Sequence, residues 1–129
     1  MLSEENRIIS SSELEFCLRE SLDNIRLLGV HSSLKSWCSG NLDVENAVAV
    51  YDLFEKTAEL FIDDINALMV SLRCENSAIK LTLQTGLNDG ADISALNSLS
   101  LNGGSVTCDV DENDIAVYII LSEGGASDD

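Results

Sequence analysis

The sequence predicts an α/β fold of the α+β kind: a two-layer sandwich in which a mixed, mostly antiparallel sheet is covered by helices. Three observations predict it. Two long stretches repeat apolar residues at helical spacing, later stretches form short strand-like runs, and short polar links join those runs in pairs. Strands paired as hairpins must bury one face, and the helices are what the chain has to cover it. At 129 residues the chain suits a single domain, 1–129, with one hydrophobic core. Its hydrophobic content is 45% but only 5% is aromatic, so aliphatic side chains fill the interior.

Residues 1–10 are polar and acidic and are expected to be frayed and flexible. Ser12 to Glu15 matches a capping box, the serine covering an orphan N–H while Glu15 reaches back. Leu14, Leu18, Leu22 and Ile25 then keep helical spacing, which predicts a first helix over 12–24. Its leucine stripe has two outlets. Leu14, Leu18 and Leu22 either pair with a partner helix as an interface or pack on the chain's own sheet. From Ile25 the period changes, and Ile25–Val30 and Ser33–Trp37 read as extended, closed by the turn cluster Ser39–Asn41. The sandwich is thus expected over 25–121.

Asp43 is the expected N-cap of a second helix running to about Asp64. Its apolar stripe is Val44, Ala47, Val48, Tyr51, Phe54, Ala58, Phe61 and Ile62. Two strands follow, Ala67–Arg73 and Ile79–Thr85, with Cys74–Ser77 as the hairpin link. Gly86–Ala91 reads as a loop, and Asp92 as the cap of a short helix through Leu99. Gly103-Gly104 opens a last pair, Ser105–Val110 and Ile115–Leu121, around the turn Asp111–Asp114. Residues 122–129 are tail-like.

The formal charge of −16, with seven Lys and Arg in all, argues against nucleic acid and against anionic membrane surfaces. No apolar run approaches the roughly 20 residues that cross a bilayer, so no membrane insertion is expected. The N-terminus lacks the look of a secretory or transit peptide, which points to a cytoplasmic location. Cys17, Cys38, Cys74 and Cys108 are scattered, with no C-x-x-C pair, and read as buried free thiols of a reducing compartment. The single histidine, His31, is followed by Ser32 in an extended stretch and reads as a structural residue rather than a phospho-acceptor. It also leaves serine or thiol catalysis only one candidate base. Asp109, Asp111, Glu112, Asn113 and Asp114 lack the register of a calcium loop and read as an acidic hairpin turn.

The most informative stretch is Leu53 to Asp63, where Glu55, Glu59 and Asp63 recur every fourth residue and so form one column on a helix. The run Ala67–Leu72 follows almost at once. That order, from about Ile25 to Leu121, resembles the ATP-binding domain of bacterial sensor histidine kinases, in the superfamily of gyrase, Hsp90 and MutL. The resemblance places Glu55 on the family's glutamate, as the catalytic group that orients the water. It puts Glu59 where the family's asparagine holds Mg²⁺, and Asp63 where histidine is frequent. Gln84-Thr85-Gly86 falls where the family's Asp-x-Gly reads adenine, and Asp89-Gly90 gives a displaced Asp-Gly pair. Leu101-Asn102-Gly103-Gly104 matches the family's Gly-Gly turn. The glycine-rich lid has no counterpart, and the adenine carboxylate is missing.

The resemblance therefore implies a two-component signal-transduction module with a degenerate nucleotide site, a pseudo-ATPase that binds no cofactor and works through a protein partner or as a homodimer. One alternative is an active histidine-kinase-type phosphotransferase with Mg–ATP, its nucleotide held by Glu59, Asp63, Gly86, Asp89 and Gly90. Another is an acidic dimeric adaptor of unrelated α/β fold. The acidic column also fits the solvated face of an amphipathic helix, and both readings of it stay open.

Overall fold

The computed structural model describes residues 8–75, 78–100 and 104–122. Residues 1–7, Asn76 and Ser77 of the hairpin link, Leu101–Gly103 of the glycine turn and the tail from 123 onward lie outside them.

The chain begins in a strand, β1 (Ile8–Ser10), where frayed residues were expected; it pairs antiparallel with β3 (Asn41–Asp43), Ser10 opposite Asn41. This pairing fixes the start of the first helix, α1 (Ser11–Arg26). The capping box lies two residues before the expected one: Ser10 Oγ accepts from Glu13 N at 3.2 Å, and Glu13 Oε1 accepts from Ser10 N at 3.1 Å. Ser10/Glu13 and Ser12/Glu15 both satisfy the capping pattern. The Ser11 N–H bond to Gly40 O, at 2.8 Å, holds the helix entry at the earlier pair. Arg26 and Asp23 form an exposed ion pair at 2.7 Å in the last turn. Ile25 and Arg26 are still helical and residues 27–29 turn, with Gly29 at φ +89, so the expected extended run from Ile25 starts only at β2 (His31–Trp37).

The second helix, α2 (Val44–Leu60), is capped as expected, Asp43 Oδ2 accepting from Asn46 N at 3.2 Å. It ends before Asp64, because Phe61 O closes the turn by accepting from both Asp64 N and Ile65 N at 2.8 Å. Its buried face is Ala47, Val50, Leu53, Phe54, Thr57 and Ala58. Val48 and Ile62, expected in that stripe, are 50% and 37% exposed. The true face is turned slightly from the expected one and takes in Val50, Leu53 and Thr57.

Four longer strands follow: β4 (Ile65–Glu75), β5 (Ala78–Leu87), β6 (Gly104–Asp111) and β7 (Asp114–Ser122). Between β5 and β6 the short helix expected from Asp92 is a 3₁₀ turn, Ser94–Ser98, whose entry is held by Asp92 Oδ1 accepting from Ser94 N at 3.0 Å. The sheet runs β2-β4-β5-β7-β6; β2 and β4 are parallel, the other neighbours antiparallel. The parallel pair needs a crossover, and α2 supplies it. The fold is the mixed two-layer sandwich that the sequence predicts.

Period-two alternation sends one set of side chains inward: Leu68, Val70 and Leu72 on β4, Leu81 and Leu83 on β5, Val117 and Ile119 on β7. Helix α1 lies over β2, and α2 over β5 and β7. Leu14, Leu18 and Leu22 are 2%, 0% and 1% exposed, so the leucine stripe takes the second of its two outlets, the chain's own sheet. Each such side chain stabilises the fold by about 1.5–3 kcal/mol on burial.

Cys38 and Cys74 are not free thiols. They are disulfide-bonded, Cα to Cα 4.9 Å, and tie the exit of β2 to β4. Cys17 is free but exposed, and Cys108 is free and half-buried. Spacing alone could not show the bond, since 36 positions separate its halves. The thiols therefore no longer speak for a reducing compartment. Among the described residues no helix is long and apolar enough to cross a membrane.

Candidate functional site

The acidic column projects from the flank of α2 that faces α1. Glu55 and Glu59 share a hollow of about 170 Å³ with Ser21, Asn24 and Ile25 of α1. Because α2 buries Phe54 and Ala58 beside them, these carboxylates stand at the lip of the interhelical groove rather than under the sheet. Glu55 is already engaged. Tyr51, one turn earlier, donates to Glu55 Oε2 at 2.8 Å; Ser21 Oγ lies 2.6 Å from the Tyr51 hydroxyl and 3.1 Å from Glu55 Oε2. Burial above all pushes the Tyr51 phenol upward; the Ser21 hydrogen bond opposes that, and the hydrogen bond and charge of Glu55 add to it. Asp63 is exposed in the turn after the helix.

The sequence placed Tyr51 in an apolar stripe and so missed this network. The available signal was the tyrosine four residues before a glutamate on one helix.

The expected glycine and aspartate residues lie where the chain leaves β5, against the turn that follows α2. Gly86 closes β5, and a Cβ there would meet Asn66 Oδ1 at 2.8 Å. That close approach suits glycine alone, because Asn66 Nδ2 is fixed to Asn88 Oδ1 at 3.0 Å. Asp89 accepts a hydrogen bond from Asn113 Nδ2 in the β6–β7 turn, and Asn88 N donates to Asp64 O at 2.7 Å. Gly90 turns the chain at φ +85. These contacts join three turns. Gln84 is exposed on the side of the sheet away from the helices, and its neighbour Thr85 points inward, 3% exposed. The Thr85 hydroxyl has no hydrogen-bond partner among the described residues.

A second hollow, about 530 Å³, opens between Leu96 and Leu99 of the 3₁₀ turn and Val106, Cys108 and Val110 of β6. None of its lining residues is charged. The Cys108 thiol there is pushed up by burial and by the Asp109 charge, which keeps it protonated and poorly nucleophilic.

No family model matches the chain, and no curated protein matches it in sequence. Solved structures do match. The catalytic domain of histidine kinase ThkA, in a nucleotide-free form, superposes at TM-score 0.64 with 8% identity, covering 90% of this chain and 95% of that one. The fold is that of a histidine-kinase ATPase domain. Histidine kinase AdeS of Acinetobacter baumannii gives TM-score 0.63 at 14% identity, over 92% of this chain and 67% of that one. The histidine kinase domain of a blue-light activated kinase from Erythrobacter litoralis gives 0.62 at 11%, over 84% and 60%. At these identities the shared property is the fold.

Within the histidine-kinase ATPase fold, the Asp89–Gly90 loop lies beside the turn that carries Asp63, where Asn88 N donates to Asp64 O. Glu55 and Glu59 line one hollow and Gly86 another, with no residue in common. Among the described residues no group of three or more His, Cys, Asp or Glu is placed to hold a metal ion. On the inward side of α2 the polar candidate is Thr57, and its Oγ1 is satisfied by Leu53 O at 2.8 Å. His31 stands exposed at the start of a strand, and the acids around Glu112 form a two-residue hairpin turn with Glu112 at φ 56.

Proposed function

We propose that this chain is a bacterial signal-transduction module that uses the histidine-kinase ATPase fold without its chemistry: a degenerate nucleotide site, and action by protein–protein contact. The observation that carries this reading is the state of Glu55 and Glu59. Their hollow, about 170 Å³, is below the roughly 300–1,000 Å³ usual for small-molecule sites. No cation lines it, and two carboxylates beside a triphosphate repel it. Glu55 also spends its Oε2 on Tyr51 and Ser21. A protein partner is in keeping with the fold's company, since one similar structure is ThkA in complex with a response regulator protein. A response regulator-like protein is the partner class to try first.

Calorimetric titration with Mg–ATP tests the reading. The expected result is no binding heat at several millimolar nucleotide. Saturable binding in the micromolar to low-millimolar range would instead establish the second reading, an active Mg–ATP site with Glu55 orienting water and Glu59 ligating the metal.

A further inference from the structure

The sheet ends on one side in β6, and among the described residues no strand pairs with its outer edge. The two-residue turn Glu112–Asn113 makes its closing pair, Asp111 and Asp114, a hydrogen-bonded one. Alternation then turns the backbone groups of Ser105, Thr107, Asp109 and Asp111 toward β7, and those of Val106, Cys108 and Val110 toward the free edge. Side chains alternate as well. Val106, Cys108 and Val110 stand opposite Ile119, Val117 and Ile115, on the buried side of the sheet, while Ser105, Thr107, Asp109 and Asp111 face away from the helices. The devices that usually blunt an edge are missing from this strand: β6 holds no proline, no lysine and no inward charge, and its register against β7 is unbroken. Its inward row is also incompletely covered. Val110 is 46% and Ile93 38% exposed, and the hollow of about 530 Å³ lies between that row and Leu96 and Leu99.

We infer that β6 pairs with β6 of a second copy of the chain, antiparallel about a two-fold axis at Cys108, so that one sheet runs through both subunits. In that register Cys108 faces Cys108 of the partner subunit, and Val106 faces Val110 of the partner subunit. These are the residues whose N–H and C=O groups point outward, so each pair exchanges backbone hydrogen bonds. On the other face Asp109 meets Thr107 of the partner subunit, and Asp111 meets Ser105 of the partner subunit. Hydroxyls there donate to carboxylates. The occupant is a second copy because the edge complements itself in this one register. A two-residue slip in one direction sets Asp109 against Asp109 of the partner subunit; in the other it leaves Val110 against Gly104 of the partner subunit. A one-residue slip mismatches the outward backbone groups and puts the valines on the wrong face. The axis also brings the two hollows together on the helix side, where the half-exposed Val110 and Ile93 gain cover. Asp109 stands diagonal to Asp109 of the partner subunit, and each copy carries −16, so the dimer is weak and strengthens as salt screens that repulsion.

Sedimentation of the purified chain across micromolar to millimolar concentration, at low and high salt, tests this. Alkylation of Cys108 by a neutral reagent, in a Cys17→Ser background, is a second readout. The wild type is expected to pass from monomer to dimer, more readily in high salt, and its Cys108 to react more slowly as the dimer forms. Val110→Lys, folded by circular dichroism, is expected to weaken the dimer at least about tenfold. Ser105→Lys, at an exposed position, is expected to tighten it about tenfold at low salt, because the new ammonium meets Asp111 of the partner subunit. Adding Asp111→Asn should undo that gain. Ser105→Lys keeps the test decisive should Val110→Lys misfold. A wild type that stays monomeric, a dimer that loosens with salt, a folded Val110→Lys that dimerises as well as the wild type, or a Ser105→Lys gain that is absent or survives Asp111→Asn would each overturn the inference. No nucleotide enters these measurements, so the proposed function stands or falls separately.

Discussion

The hydroxyl of Tyr51 donates to Glu55 Oε2 across one turn of α2 at 2.8 Å, and Ser21 of α1 closes the triangle. The contact joins the two helices through the residue that the family resemblance would make catalytic. Tyr51→Phe should therefore lower stability by about 1 kcal/mol, read as a shift of the urea midpoint at unchanged slope.

The same pair gives a pH dependence. The Tyr51 phenol sits above its ordinary 10.0 in the folded chain, so the unfolded chain gives up that proton first. The stability contributed is whole below about pH 10 and is lost as pH rises through the folded-state value. In a Tyr118→Phe background the remaining phenolate absorbance should rise later than for free tyrosine. Glu55→Gln should move it back toward the ordinary value, and an unmoved titration would count against the assignment.

Leu18 is fully buried on the inward face of α1. Leu18→Ala should cost about 2–5 kcal/mol in denaturant unfolding and leave the sedimentation behaviour of the folded chain unchanged. A change in association without loss of stability would return the leucine stripe to an interface.

The Cys38–Cys74 bond closes a loop over 36 positions. Chain-entropy arithmetic gives about 4 kcal/mol for a loop of that length, so reduction or Cys38→Ser paired with Cys74→Ser should lower stability by a few kcal/mol. Denaturation with and without reductant reads this directly.

The caps are predicted to act independently. Ser10→Ala and Asp43→Ala should each cost about 1 kcal/mol, and the double variant should cost the sum, since they serve different helices. Ser12→Ala should cost little, because Ser12 is exposed and is not the cap.

Much of the architecture was legible. Asp43 announces α2, the leucines of α1 keep their spacing, and the alternation Ile79, Leu81, Leu83 marks β5 as a strand with one wet face. What failed did so for identifiable reasons. The run Ser10-Ser11-Ser12 offers two capping boxes, and only the pairing of β1 with β3 chooses between them. Val48 and Val50 are equally apolar, so local periodicity could not say which faced the sheet. That rotation of α2 decides where Glu55 and Glu59 point, which left the site less legible than the fold. The disulfide depends on strand neighbours far apart in sequence. Neither β2 beside β4 nor β7 between β5 and β6 can be read from a single strand.

The bridge between Cys38 and Cys74 has a further bearing on the integrity of the molecule. All of β3 and α2 lies inside the covalent ring that it completes. A protease that nicks anywhere in that arc severs the backbone without releasing a fragment. The two pieces migrate as one species until a reductant parts them.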